Sequence, residues 1–331
     1  MHTVSRIAGA IILTASPLAA QTPNATLADK TSPVDPQTRA LAVQVVAKGG
    51  ERDRLAGALA PVEDLLKFKI KSALGLTDEA DSAKIMAIVH AAVIVVSSKV
   101  SEAEADAYAA NFSTSELSEI LAFLTGPSGE AEETNLPLLK RDLRAALDMD
   151  TLGVAKIKKT AALDLDKVSP NRRDSIERIF KAQDLEAHTR QGYLTLQARL
   201  SRVTSIFHDK PITQTQNSSA KSNEEARAAD DYANMVMAVE TQFYATHYTD
   251  TELAGVADYL ESKAGRAALT RKPLIQQAAG RAMRAQFTTF LAALDASVCS
   301  AVACTPTQHA SLRNEIDSLS GMLTQIPPAS S

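Results

Sequence analysis

A chain of 331 residues with a formal net charge of −4 and no basic cluster lacks the electrostatic footprint of a nucleic-acid binder. Tryptophan is absent and Phe and Tyr are few (8 and 6), which argues against surfaces that hold sugars or single-stranded bases by ring stacking. Roughly 310 residues remain once an N-terminal leader is set aside, more than one hydrophobic core usually serves, so two domains are expected.

Residues 1–20 have the three parts of a secretory signal: a basic start up to Arg6, the apolar run Ile7–Leu18, and the small residues Ala19 and Ala20 before Gln21. The run is too short for an ordinary membrane-spanning helix, and no cysteine stands at the junction to carry a lipoprotein anchor. An exported protein, periplasmic or secreted, is therefore expected. The Pro/Thr/Asp-rich residues 21–37 read as a flexible N-terminus.

Residues 38–150 read as a first helical domain. "VVAKGG" (Val45–Gly50) marks an opening helix, and "IMAIVHAAVIVV" (Ile85–Val96) a core segment rather than a membrane span. Within it His90 is expected to be a buried, hydrogen-bonded core histidine. Ser113-x-x-Glu116 then forms a capping box, with Phe112 before the cap and Leu117 after it as a hydrophobic staple. That helix should stop near Gly126-Pro127, and Pro137 falls inside the helical pattern that follows.

A linker over 151–172 leads to a second helical domain, 173–298, with "IFKAQD" (Ile179–Asp184) as its opening and 208–225 as a polar loop. Tyr232, Met235, Val236, Val239 and Phe243 keep a helical period. Next comes Thr249-x-x-Glu252, a second capping box, with Tyr248 and Leu253 as its staple. Residues 299–325 read as a C-terminal extension: Cys299 and Cys304 pair in a disulfide suited to an oxidising compartment, and Thr305-Pro306-Thr307-Gln308 caps a last helix. Residues 326–331 are a tail.

The two caps belong to one pattern. At a fixed offset of 136, Tyr108 meets Tyr244, Leu124 meets Leu260, Gly129 meets Gly265 and Pro137 meets Pro273, with no gap across some thirty residues. An internal duplication is the expected cause. The glycines should allow close approach of a neighbouring segment and the prolines should sit within helices. The fold class expected is therefore all-α: two tandem helical-bundle repeats plus a disulfide-clasped C-terminal helix.

The segments "YAANFSTSELSEILAFLTGPSGEAEETNLPLL" and "YATHYTDTELAGVADYLESKAGRAALTRKPLI" resemble an exported bacterial helical family known as domain of unknown function 2059. The second departs from the pattern at "SKAG", where the first has "GPSG". The resemblance implies an all-helical periplasmic or secreted protein and supplies no catalytic residues.

Chemistry-bearing motifs are scarce. Ser128 in "GPSGE" lacks the nucleophile-elbow pattern and reads as a helix N-terminal residue. The six histidines show no zinc-binding spacing, and there is no phosphate loop, so neither metal nor cofactor is expected. Glu116 and Glu252 are already occupied as helix-cap residues. Tyr108, Phe112, Phe123, Tyr244, Tyr248 and Tyr259 are expected to pack as core at the helix corners, with an apolar groove for a peptide or lipid chain as the functional alternative. The expected function is a non-enzymatic binding or scaffold module for an envelope protein or apolar ligand, with no nucleic-acid partner and no stable membrane span. The alternative is a hydrolase acting on an envelope component.

Overall fold

Eleven helices and one short antiparallel ladder make up the described residues of the computed structural model, 34–49, 51–149, 155–157, 168–207 and 219–325. The expected signal, most of the N-terminal segment and the tail lie outside them. The helices are α1 (Pro36–Lys48), α2 (Glu51–Leu74), α3 (Glu79–Asn111), α4 (Thr114–Leu124), α5 (Pro127–Ala146), α6 (Pro170–Gln183), α7 (Leu185–Phe207), α8 (Ser219–His247), α9 (Asp250–Glu261), α10 (Lys263–Val302) and α11 (Pro306–Gln325). Strands β1 (Leu147–Met149) and β2 (Ala155–Ile157) pair antiparallel between α5 and α6. The fold is all-α.

Local chemistry places the helix ends. Asp35 caps α1 by accepting from the Thr38 backbone N–H, so the helix begins inside the stretch expected to be flexible. Ser169 caps α6 within the expected linker, and β2 also falls there. In α9 the capping box is complete: Thr249 Oγ1 accepts from the Glu252 N–H, and the Glu252 carboxylate accepts from the Thr249 N–H at 2.7 Å. The same reciprocal pattern joins Thr305 and Gln308 at α11. In the first copy α4 starts directly after Ser113, and the staple residues Phe112 and Leu117 are both buried, as are Tyr248 and Leu253. Residues 219–225, expected to belong to a loop, are the first two turns of α8.

Compact packing divides the described residues otherwise than at the expected boundaries. One unit is contiguous, Ser115–Arg271; the other is split, combining residues 34–114 with 272–325. The dividing points are a helix corner and the interior of α10, not the linker over 151–172. The physical reason is that α10 packs its apolar stripe against α2 and α3, elements far upstream.

The split unit centres on Leu66, Ile70, Leu74, Ile85 and Val89, packed with Leu291, Leu294 and Val298 of α10 and Leu312, Ile316 and Leu319 of α11. A second cluster joins Leu59, Val93, Val96 and Val100 to Ala279 and Phe287. Cys299 and Cys304 are disulfide-bonded and pack against the first cluster, holding the turn from α10 into α11. There Gln308 Nε2 also donates to the Leu74 carbonyl oxygen at 2.7 Å.

The contiguous unit packs α6 on α9 and α7 on α8, with α5 against both α8 and α9. Ile176, Ile179 and Phe180 meet Phe243, Tyr244, Leu253, Val256 and Leu260 in its main core. Arg172 and Arg178 of α6 tie it to Asp250 and to Asp258 and Glu261 at the surface. Exposed pairs of this kind contribute little stability.

Both glycines of the repeat do what their missing side chains allow. A Cβ on Gly129 would lie 2.2 Å from the Phe123 carbonyl oxygen, and one on Gly265 would lie 1.9 Å from that of Tyr259. Phe123 and Tyr259 are themselves 136 apart, so the two corners share one geometry. Pro137 and Pro273 both lie within continuous helices.

Candidate functional site

Among the described residues the sharpest chemical feature is two acids of the contiguous unit, Glu240 and Glu132, that no sequence motif marks. Glu240 lies on the core face of α8, between Val236 and Phe243, and is only 9% exposed. Glu132 projects from α5 and accepts a hydrogen bond from the Tyr248 Oη at 2.9 Å. Asn135, one turn further along α5, donates to the His247 carbonyl oxygen, so α5 grips the corner between α8 and α9. Tyr232 and Tyr244 stand on the same helix as Glu240, and Tyr193 of α7 packs on Tyr232 with ring centroids 5.1 Å apart.

Burial governs the electrostatics here, because removing a carboxylate from water disfavours its charged form. Burial, helped by the negative charge of Glu132, pushes the Glu240 carboxyl up to about 7. The Glu132 carboxyl is also raised by burial, against the Tyr248 hydroxyl, which favours the ionised form. The hydroxyls of Tyr232, Tyr244 and Tyr248 are raised first by burial and then by these acids.

The sequence does carry a signal for Glu240. It follows Val236 by four residues and precedes Phe243 by three, so a helical period places an acid within an apolar stripe. Glu132 carries no such mark, since its neighbours Glu130 and Glu133 give α5 an acidic first half.

The residues singled out from sequence have other places. Tyr108 and Phe112 belong to the split unit, with ring centroids 5.3 Å apart, and the other four aromatics belong to the contiguous unit. Tyr244 and Tyr248 are core residues there, while Phe123 stacks on Tyr259 with centroids 3.8 Å apart and planes 6° from parallel. Glu116 is buried, and its Oε2 accepts from Arg271 Nη1 at 3.0 Å. Glu252 stays in its cap. Ser128 is the second residue of α5, with its hydroxyl against Gly255.

His90 corrects the expectation of a core histidine. Its side chain is 62% exposed and its Nδ1 lies 3.1 Å from Glu63 Oε1. The apolar run around it is two-faced: Ile85, Val89, Val93 and Val96 are buried, but Met86, Ile94 and Val95 are 47%, 46% and 56% exposed. A continuous apolar run cannot bury every side of a helix that has neighbours on one side. By length and composition α3 and α10 are each apolar enough to cross a membrane, although both supply residues to the two cores of the split unit.

Among the described residues no group of three His, Cys, Asp or Glu side chains is placed to hold a metal ion. An open depression of about 430 Å³ is lined by Asn171, Asp174, Ser175, Asp250, Thr251 and Ala254, where α6 and α9 begin. It does not include Glu132 or Glu240. Comparison with protein-family models, with curated proteins and with solved structures finds no match for this chain.

Proposed function

We propose that the protein is an exported, non-enzymatic helical module that binds an apolar segment of a partner protein in the cell envelope. The observation that carries this reading is the outer side of α3, where Met86, Ile94 and Val95 stand exposed among Ala83, Ala87 and Ala91 with no acid between Asp81 and Glu102. Exposed apolar side chains gathered along the outer half of one helix, here with Lys84 and His90 among them, form a surface that a partner helix can cover. Export rests on the leader pattern of residues 1–20 and on the Cys299–Cys304 disulfide, which suits an oxidising compartment.

The test is a photo-reactive amino acid at Ile94 in the full chain expressed in its own envelope. A discrete cross-linked product that disappears with Val95→Glu is the expected result. Equal products from Ile94 and from the exposed polar position Glu102, or none from either, would overturn it.

A second reading, a hydrolase acting on an envelope component, is favoured by one observation, the Glu132–Glu240 pair. Carboxyls held in unequal environments are the usual machinery of acid–base hydrolysis, and burial raises both of these. That reading predicts that Glu240→Gln abolishes turnover of envelope material while leaving the fold intact.

A further inference from the structure

The geometry points to an exchange inside the chain: two copies of one repeat have swapped the helix that carries their shared proline, so each half of the chain completes the other's bundle. The argument rests on which residues meet. With the offset of 136, α3 corresponds to α8 and α5 to the first half of α10. Leu143, six residues after Pro137, and Tyr232 both pack on the cluster that Ala146 forms with Met235, Val236 and Val239 of α8. The counterpart of Leu143, Ala279, six residues after Pro273, packs with Val96 and Val100 of α3. Val96 and Val100 are the counterparts of Tyr232 and Val236. Each proline-bearing helix therefore packs, at corresponding positions, on the other copy's long helix.

Three further observations agree. Ala146 lies in the α8 cluster and its counterpart Ala282 packs on the α3 cluster. Phe123 stacks face to face on its own counterpart Tyr259, within the contiguous unit. The compact units themselves divide the chain in this manner, since residues 34–114 take in residues 272–325 while α5 belongs with α6–α9.

The physical consequence is an interaction surface whose partner is the other half of the same chain. Helices α2 and α3 present an apolar surface over Leu59, Val93, Val96 and Val100 that α10 covers. The α8 surface over Met235, Val236 and Val239 is filled by α5. Exchange of an identical element between two copies is a low-cost route to a dimer, and fusing the copies makes it intramolecular.

Paired cysteine substitutions in the full chain test this, read after cutting at a protease site inserted between residues 158 and 167. Leu143→Cys with Val236→Cys, and separately Val100→Cys with Ala279→Cys, should oxidise and join the two cleavage fragments on a non-reducing gel. The unexchanged pairs, Leu143→Cys with Val100→Cys and Val236→Cys with Ala279→Cys, should not oxidise. Reversal of this pattern would overturn the proposal. Without added cysteines, the cut protein should stay a 1:1 complex by native mass spectrometry, and separation into two folded monomers under native conditions would overturn it equally.

Discussion

Replacing Glu240 by Gln should remove most of the pH dependence of the contiguous unit's stability near neutral pH. In the folded protein this carboxyl titrates at about 7, against an ordinary value of 4.5. Between those two values the folded state binds the proton and the unfolded state does not, so stability falls as pH rises through the window. The full difference is worth about 3 kcal/mol, absent below the ordinary value and complete above the folded one. Glu132 shifts in the same direction, so the double variant Glu132→Gln with Glu240→Gln should be flatter still. Asp35, held down by the Thr38 backbone N–H, and Glu261, held down by Arg178, act with the opposite sign and only below their ordinary values of 3.8 and 4.5. They leave the neutral window clear. Tyrosine fluorescence during urea unfolding isolates the relevant unit, because five of the six tyrosines (all but Tyr108) lie within Ser115–Arg271. Wild-type stability that stays level or rises from about pH 5 to pH 8 would refute the reasoning, and so would a Glu240→Gln variant that keeps the wild-type slope.

Gly129→Ala and Gly265→Ala should each destabilise by about 1–3 kcal/mol or more despite alanine's better helix propensity, because either Cβ would meet backbone about 2 Å away. Thermal unfolding that shows stabilisation at either site would contradict the close approach. Thr249→Ala should cost about 1 kcal/mol through loss of the cap, measured by urea titration, with no change in any cross-linking from Ile94. Leu253→Ala, at a side chain with no exposure, should cost about 2–5 kcal/mol, and a loss below about 1 kcal/mol would show that the corner repacks. Cys299 and Cys304 should resist alkylation until reduced, and replacing both by serine should cost about 2 kcal/mol for a loop this short.

Much of this architecture is local and was legible in the chain. A hydroxyl followed three residues later by Glu or Gln satisfies the first backbone N–H groups wherever it occurs, so Thr249 and Thr305 started their helices as read. Apolar residues every three or four positions gave α3, α8, α10 and α11 their buried faces, and Pro127 and Pro306 opened helices because a first-turn proline loses no hydrogen bond. The cysteine pair, five residues apart, needed no long-range information. The identical glycine environments followed from the offset of 136 alone.

What the sequence left open depended on contacts between residues distant along the chain. Periodicity shows that α5 and α10 each have an apolar stripe, but not which helix covers it. Leu143 and Ala279 would satisfy the same pattern against either copy, so the division into a contiguous and a split unit was decided only in three dimensions. The run over Ile85–Val96 is apolar on every side, and no local rule says that His90, Ile94 and Val95 face outward; that is fixed by where α1, α2 and α10 pack. Glu132 looks like any surface acid of a polar helix and becomes a half-buried one because α5 lies against α8 and α9. A capping motif is determined by four consecutive residues, whereas burial of a charge is a property of everything that surrounds it.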